Sequence, residues 1–587
     1  MRPLFDNAIR RAICCLVLLA LASAAPAQTQ TSATEDPGPI APFLEVVDVE
    51  IVNVDVWVTD KKGNPVDGLT QADFEVFRDG QPVEVTNFFS VAGGRPAVVA
   101  PGDSETPAET PSIPKLPLPG AETVAEVAPE HQLWLIIYID NYNIDPIERN
   151  RILPSLELFL HRALRAGGRT MLVSYDGSLK LRQPFTDEAR LLLDALAEFK
   201  DDAGQASIRR RDQMAALRRI DDAEEPSQAL LYARQYAEEL VNGVESTVEA
   251  LERMIETLAG LPGRKALVHV SSGVPMLAGE EMFHAVAETF DVSEPYAEIP
   301  RHDTSRSFAR VTRQANAHRV AFHTLDAGGL RGFEFGAAEY AGFVNTKIRS
   351  TLDSIVPENL QAGLRFMADE TGGRAILNRN EILPALEEVT RDFASFYSLG
   401  IASTDAESGR YHEIKVKLAG GTKGRRLRHR AGYRSKNQQT RIRESLQSAL
   451  LYSHQTNPLE VDVAWGQPQP HSSKNYLLPI RVKVPLEDVV LLPVGEGKHE
   501  ARLQLFVGAA AQGGDLSDIE VAPMGVRLAD EHVEAAKKES LVHTHKLLVG
   551  PGRQKVGVAI LDVFGSQSSV VTGFIQVGPD KGAAGGH

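Results

Sequence analysis

The stretch LWLIIYI at Leu133–Ile139 decides the fold class, because seven consecutive apolar residues are typical of a strand that is covered on both faces of a sheet. Asp140 follows this strand directly. A helix is then predicted to begin, with Asp145 as its N-cap, Pro146 as its first residue and Glu148 completing a capping-box-like pattern. A buried strand that leads into a helix is the basic unit of an α/β sheet.

The same succession of strands and helices continues along the chain. Further buried strands are predicted at 170–175, 265–271, 319–325 and 374–377, and a short edge strand at 179–184, with helices between them. This alternation predicts a doubly wound, mostly parallel sheet over 131–394. Ligands of such sheets bind at the carboxyl ends of the strands, where the polar residues are Asp140, Asp176, Ser271, Ser272 and Asp326.

Strand-like alternation of apolar and polar residues flanks the predicted α/β domain on both sides. Strands within 395–435 are predicted to complete the N-terminal β module at 43–93, so that the α/β domain is inserted into one sandwich. Residues 453–578 predict a second, C-terminal β-sandwich. The remaining segments are a Pro-rich linker at 94–130 and a disordered Gly-rich tail at 579–587.

The N-terminus has the three parts of a secretory signal peptide. A basic start at Met1–Arg11 precedes the apolar run Ala12–Ala22, and Ala25-Pro26-Ala27 gives an A-x-A cleavage site, so 1–27 is the predicted signal peptide. An uncleaved membrane anchor is the alternative. Cleavage would leave a cysteine-free chain without a transmembrane span, exported to the periplasm, the cell surface or the medium.

The charge balance limits the class of partner. The chain has a formal net charge of −16, which argues against general nucleic-acid binding. The basic runs Arg209–Arg211 and Arg425–Arg426 are interpreted as solvated faces. A hydrophobic content of 43% is typical of a globular protein rather than a disordered one.

Several short motifs follow one another along the chain, namely LIIYID at Leu135–Asp140, GLPGRKALVHVSSG at Gly260–Gly273, VAFHTLD at Val320–Asp326, ADETGGR at Ala368–Arg374, FYSLG at Phe396–Gly400, YHEIKV at Tyr411–Val416 and RAGY at Arg430–Tyr433. In their order and spacing they resemble the von Willebrand factor A family, and most closely a bacterial subfamily of secreted proteins with an A-related domain. The resemblance covers most of 43–435. It implies an α/β fold with a von Willebrand factor A-like, doubly wound sheet, flanked by all-β sandwich modules.

The resemblance also implies a divalent cation, Mg or Mn, held by an Asp-x-Ser-x-Ser loop, a threonine and a second aspartate. Here Asp140 keeps the first position, but Tyr142 and Ile144 stand at the serine positions and Ser272 replaces the second aspartate. Ser246-Thr247 is the nearest candidate for the threonine. The altered metal site is therefore predicted at Asp140, Asn141, Asn143 and Ser272. The simpler alternative is that Asp140 only caps the following turn.

The favoured function is recognition of a protein or surface glycan outside the cytoplasm, by a binding protein that is not an enzyme. One alternative is an envelope hydrolase with an atypical carboxylate site near Asp140, Asp176 and Asp326. Another is a scaffold that binds through its β-sandwiches. His269 and His323 could form a zinc pair, although core histidines are commoner and no third ligand has suitable spacing.

Overall fold

The structure is a computed structural model that describes residues 50–96, 132–165, 167–330, 346–403, 408–422, 424–472 and 474–578. The predicted signal peptide (1–27), almost all of the predicted linker (97–130) and the predicted tail (579–587) lie outside these residues. The described residues form one mixed sheet and four antiparallel sheets.

The N-terminal strands are β1 (Glu50–Asp60), β2 (Phe74–Arg78), β3 (Gln81–Val83), β4 (Val85–Ala92) and β5 (Arg95–Pro96). The α/β region contains β6 (Leu133–Asp140), α1 (Pro146–Arg165), β7 (Arg169–Tyr175), β8 (Leu179–Thr186), α2 (Ala189–Ala197), α3 (Ala206–Asp221), α4 (Pro226–Thr257), β9 (Arg264–Ser271), α5 (Glu280–Phe290), α6 (Ser305–Ala317), β10 (Val320–Asp326), α7 (Thr346–Thr371), β11 (Ala375–Ile376) and α8 (Leu383–Ala394).

Four more strands complete the N-terminal module, namely β12 (Phe396–Ser403), β13 (Tyr411–Leu418), β14 (Arg425–His429) and β15 (Gly432–Arg434). The connecting helix is α9 (Gln438–Tyr452). The C-terminal part contains β16 (Asp462–Trp465), β17 (Gln469–Pro470), β18 (Tyr476–Pro485), β19 (Leu492–Gly495), β20 (Lys498–Ala511), β21 (Glu520–Ala529), α10 (Val533–Ala536), β22 (Ser540–Val549), β23 (Gly552–Asp562) and β24 (Ser568–Val577).

The N-terminal sandwich combines strands from both sides of the α/β region. One sheet has the order β14-β1-β12-β4-β5 and the other the order β15-β13-β2-β3. β1 pairs with β14, Trp57 opposite Arg428, which is the contact that the hypothesis of an inserted α/β domain requires. Both sheets contribute to one apolar core that includes Val54, Val76 and Leu399. β5 lies within the first residues of the predicted linker and pairs with β4.

The α/β region is built on a six-stranded sheet with the order β11-β10-β9-β6-β7-β8. All neighbouring strands are parallel except β8, which runs antiparallel to β7 at the edge. Every residue of Leu133–Asp140 is buried, because helices cover both faces of the central strand. Ile137 belongs to an apolar core shared with α1 and α8, and Tyr138 to a core on the other face shared with α4, α6 and α7.

The charged segment 200–225 forms a helix that packs onto the α/β region. Leu217 and Ile220 of α3 are buried in a satellite core with residues of α4, α5 and α7. The start of α3 is held at the carboxyl edge of the sheet, where the backbone N–H of Gln205 donates to the carbonyl of Asn141 at 3.2 Å. This helix therefore brings its basic residues to the end of the central strand.

The C-terminal part is a second pair of antiparallel sheets around one apolar core that includes Ile480, Leu505 and Val558. Helix α9 joins it to the rest of the chain. Leu446 and Leu450 of α9 pack in a cluster with Phe506 of β20. Among the helices that the structure describes, none has both the length and the hydropathy needed to cross a membrane.

Candidate functional site

The carboxyl ends of β6 and β9 meet where the strand order of the mixed sheet reverses. The chain runs from β6 outward through β7 and β8, and then returns to the other side of β6 with β9. This switch point leaves a crevice at which ligands bind in doubly wound sheets. Asp140 ends β6 and Ser271 ends β9, so the fold brings together two of the residues predicted for this edge.

Asp140 is completely buried, and hydrogen-bond donors surround its carboxylate. Oδ1 accepts the backbone N–H of Asn143 at 3.1 Å, while Oδ2 accepts the side-chain amide of Asn143 at 2.7 Å and the hydroxyl of Ser271 at 3.1 Å. Nε2 of His269 lies 3.5 Å from Oδ2. The bond to the backbone of Asn143 is the turn-capping role that was the simpler alternative for Asp140.

Asn143 connects Asp140 to two further helices. Its Nδ2 also donates to Oγ1 of Thr247 at 3.0 Å, and its Oδ1 accepts from the guanidinium of Arg209. A carboxylate only accepts and a guanidinium only donates, so these two neighbours fix which way the amide points. Thr247, which the sequence analysis considered for the metal site, reaches this network from within α4.

Arg209 of α3 supplies a positive charge at this site. Nη2 donates to the carbonyl of Tyr142 at 2.5 Å, and the guanidinium stacks on the Tyr142 ring with its carbon 4.9 Å from the centroid. Burial lowers the pKa of Arg209, and the charge of Asp140 works in the opposite direction. The interpretation of 209–211 as a solvated face was therefore wrong for Arg209, although Arg210 and Arg211 are exposed.

Asn141 belongs to a separate group of side chains. Its Oδ1 accepts from Nη1 of Arg149 at 3.1 Å, and its Nδ2 donates to Oδ2 of Asp202 at 3.1 Å. Asp202 also forms an ion pair with Arg182 at 2.6 Å. Both polar ends of the Asn141 amide are thus bound to protein groups.

Ser272 lies at the same edge but binds a different carboxylate. Its hydroxyl donates to Oε2 of Glu148, and its backbone N–H donates to the carbonyl of Asn143 at 3.2 Å. Asp145 accepts the backbone N–H of Ile147 at 2.9 Å, which is the helix-capping contact expected at the start of α1. Glu148, expected to complete the capping box, contacts Ser272.

These contacts do not fit a bound Mg²⁺ or Mn²⁺ ion. Such ions need several oxygen ligands with available lone pairs. Asn143 turns its amide nitrogen toward Asp140, and the buried Ile144 places a hydrocarbon side chain at one of the two serine positions of the family pattern. Across the ranges described above, His, Cys, Asp and Glu side chains form no group of three or more that could hold a metal ion.

The other two carboxylates of the hydrolase alternative have their own partners. Asp176 forms an ion pair with Lys180 and accepts the hydroxyl of Ser178 at 3.1 Å. Asp326 accepts Nε2 of Gln361 at 2.7 Å and the backbone N–H of Gly328 at 2.9 Å. Each carboxylate is therefore engaged locally at the end of its own strand.

His269 and His323 lie on opposite faces of the sheet. In the β9–β10 register His269 stands opposite Thr324, and His323 opposite Val268. Neighbouring residues of a strand point to opposite faces, so the two imidazoles cannot share a metal ion. Burial lowers the pKa of His323 to about 3, and its ring packs edge-on against Phe393 as a core histidine.

A shallow groove of about 120 Å³ adjoins the Asp140 network. Its wall includes Arg209, Ser272 and the buried Glu281. Burial raises the pKa of Glu281, and the side-chain amide of Gln213 donates to its carboxylate at 3.0 Å. Segments at the same edge of the sheet carry apolar side chains that are exposed to solvent, at Ile147 (82%), Leu330 (64%) and Ile208 (47%).

No profile of a known protein family matches the sequence, and no curated protein matches it. Several solved structures match parts of the chain at low similarity. An aerotolerance-related membrane protein from Bacteroides fragilis NCTC 9343 is 11% identical, covers 44% of this chain and 98% of its own, and gives a TM-score of 0.22.

Two surface-structure proteins are similar at the same level. The PilB minor pilin from Streptococcus sanguinis is 9% identical over 45% of this chain and 62% of its own, with a TM-score of 0.24. The pilus adhesin SpaC from Lactobacillus rhamnosus GG is 8% identical over 76% of this chain and 52% of its own, with a TM-score of 0.20. These values are too low for any of the three structures to assign a function to this chain.

Proposed function

We propose that this chain is an exported binding protein whose von Willebrand factor A-like module recognises a protein partner at the carboxyl edge of its sheet, without a metal ion. Counted within the module, the strand order is 3-2-1-4-5-6, and the edge strand β8 is antiparallel. The polar residues that the resemblance assigns to the metal site lie at the switch point, where this strand order reverses. Ligands of doubly wound sheets bind at such a point.

The observation that carries the proposal is the position of Arg209. Its guanidinium binds Asn143, which in turn binds Asp140, so a cation of the protein itself lies one side chain away from the buried carboxylate and interacts with its charge. Recognition at this site would therefore not require a metal ion whose coordination shell is completed by a carboxylate of the partner. Ile147, Ile208 and Leu330 are exposed apolar side chains on segments at this edge of the sheet, and a partner could bury them.

A capture experiment with the full chain tests this function. The bait is incubated with the envelope and extracellular fractions of cells that produce the chain, once with Mg²⁺ and once with EDTA. We expect a partner that is retained under both conditions. The double variant Ile147→Asp and Leu330→Asp should lose at least about tenfold in affinity, since an interface centre tolerates buried charge poorly.

The matched control is Leu158→Asp, because Leu158 is an exposed residue (48%) on the same helix as Ile147 but three turns away from the sheet edge. It should capture the partner as the native chain does. Loss of capture in EDTA would contradict metal-free recognition. Phe574 is an exposed residue of β24. If Phe574→Asp lost capture of the partner while the double variant retained it fully, the scaffold alternative would be supported instead.

The hydrolase alternative has one observation in its favour, namely the buried Glu281 with its raised pKa in the groove wall. Groups of this kind occur in enzymes as general acids. Turnover of an envelope polymer that disappears with Glu281→Gln would favour catalysis over binding.

A further inference from the structure

A second group of charges lies at the opposite, amino-terminal edge of the α/β sheet, where β9 and β10 begin. A cavity of about 260 Å³ opens there between the sheet, the N-terminal sandwich and α9. One acidic residue, Glu444, lines it. The cationic residues that line it are Lys265, Arg319, Arg430, Arg434, Lys436 and Arg441. In a chain with a net charge of −16, this concentration of positive charge is unusual.

Lys265 is the most deeply placed of these cations, with 4% of its surface exposed. Its ammonium donates to the backbone carbonyl of His318 at 2.9 Å. Burial lowers the pKa of Lys265 well below its ordinary value, and the charges of Arg319 and Lys436 lower it further. The charge of Glu444 opposes this shift, but Glu444 is paired with Lys436. A buried ammonium among other cations is costly, so a second negative group in this cavity would stabilise it.

The acidic groups near the cavity are already engaged by two of the cations. Glu444 pairs with Lys436 at 2.8 Å, and Asp55 accepts both of its bonds from Nη2 of Arg319, at 3.1 and 3.0 Å. Nε of Arg319 is buried and has no hydrogen-bond partner among the described residues. Arg319 also has a φ of +56°, a left-handed conformation that costs a non-glycine residue energy.

A larger cleft continues from this cavity. It has a volume of about 960 Å³ and shares Arg434, Lys436 and His318 with the cavity. Its wall adds Glu256 and three further arginines, at Arg306, Arg310 and Arg313, of which Arg310 is paired with Glu245 and Glu252. Burial and the nearby cations lower the pKa of His318 to about 2, so that its neutral Nδ1 accepts a bond from Lys436 at 2.8 Å. The cationic surface is therefore long enough to contact more than one anionic group of a ligand.

We propose that this cavity binds a phosphate group of a ligand that carries more than one anionic group, such as a polyphosphate or a phosphate ester. Arginine forks match the geometry of phosphate oxygens, and phosphate brings up to two charges into a small volume. A cavity of about 260 Å³ holds one or two phosphate groups rather than a nucleic-acid duplex. The site is separate from the carboxyl edge proposed for protein recognition.

Titration calorimetry of the full chain with sodium tripolyphosphate tests this site. We expect saturable binding that sodium chloride at equal ionic strength does not reproduce. Arg434→Ala should weaken it about tenfold, because the variant removes a charge-assisted hydrogen bond to the phosphate. Arg434 is exposed, so its removal leaves the fold intact. The control Arg426→Ala, at an exposed position of β14 outside the cavity, should bind like the native chain.

A second arm distinguishes a free phosphate compound from a phospholipid headgroup. Vesicles of phosphatidylglycerol replace tripolyphosphate in a flotation assay with the same variants. Binding to either probe that depends on Arg434 supports the site and identifies the source. Absence of saturable binding to both probes, or equal binding by native chain and Arg434→Ala, would overturn it.

Lys265→Met separates ligand binding from a structural role. Because burial disfavours the charged form of Lys265, this variant should raise the melting temperature without ligand and reduce the rise that tripolyphosphate produces. A lowered melting temperature with an unchanged response to tripolyphosphate would contradict the proposal.

Discussion

Replacing Asp392 with alanine should lower the free energy of unfolding by about 3–5 kcal/mol, the range typical for removing one partner of a buried ion pair. Asp392 of α8 is 2% exposed and accepts Nε and Nη2 of Arg374 at 2.6 and 2.8 Å. It also accepts Nη2 of Arg428 of β14 at 2.7 Å. The variant would leave two guanidinium groups without their shared counter-charge, between the α/β module and the N-terminal sandwich.

Urea unfolding followed by tryptophan fluorescence measures this effect, since the indole N–H of Trp57 donates to the backbone carbonyl of Asp392 at 2.9 Å. The control is Asp194→Ala, at a side chain that is 71% exposed and whose change should stay within about 0.5 kcal/mol. Equal, small effects of the two substitutions would show that the cluster does not hold the modules together.

The same cluster predicts a pH dependence. Burial works to raise the pKa of Asp392, but the charges and hydrogen bonds of Arg428 and Arg374 outweigh it and hold the pKa below its ordinary value. A carboxylate whose pKa is lowered by folding stabilises the fold at pH values above its unfolded pKa of about 4. This contribution is lost as the pH falls through the folded pKa. The difference in stability between the native chain and Asp392→Ala should therefore shrink below about pH 4.

Replacing Asp140 with alanine should cost about 3 kcal/mol, because a buried carboxylate that accepts three hydrogen bonds is removed from a network containing a cation. Arg209→Met should destabilise the native chain by about 2 kcal/mol. In the Asp140→Ala background the same change should cost at least about 1 kcal/mol less, because Arg209 then has no carboxylate to neutralise.

A double-mutant cycle from urea unfolding measures this coupling. Arg210→Met is the matched control, since Arg210 is the next residue of the same helix and is exposed. It should show no coupling to Asp140. Additive effects of Asp140→Ala and Arg209→Met would mean that Arg209 does not act as the cation of this site.

The parallel sheet could be predicted from the sequence because its evidence is local. A strand covered on both faces is a continuous apolar run, and Leu133–Ile139 needs no knowledge of its neighbours to be recognised. The third buried strand, predicted from Lys265 to Ser271, begins one residue earlier at Arg264. Helix α4, predicted over 227–258, extends over Pro226–Thr257. Its signals are also local, namely an apolar stripe and the Gly-Leu-Pro-Gly segment that follows the helix at 260–263.

The chemistry of the sites could not be predicted in the same way, because it depends on contacts between distant segments. Arg209 and Arg210 are neighbours in one basic run, and only the packing of α3 against the sheet edge partly buries the first of them. Lys265 begins an apolar strand, but the cations around it come from the turn before β10, from β15 and its flanking residues, and from α9. The spacing of residues along the chain does not show which distant segments pack against each other.

The most direct test of metal-free recognition is calorimetric titration of the full chain with Mg²⁺ and then Mn²⁺, beside Asp140→Asn as the control. With Arg209 and Asn143 bound around Asp140, we predict no saturable binding at this site and identical titrations for the two proteins. Stoichiometric binding that Asp140→Asn abolishes would show that a metal ion, rather than Arg209, completes the site, and would contradict the proposed mode of recognition.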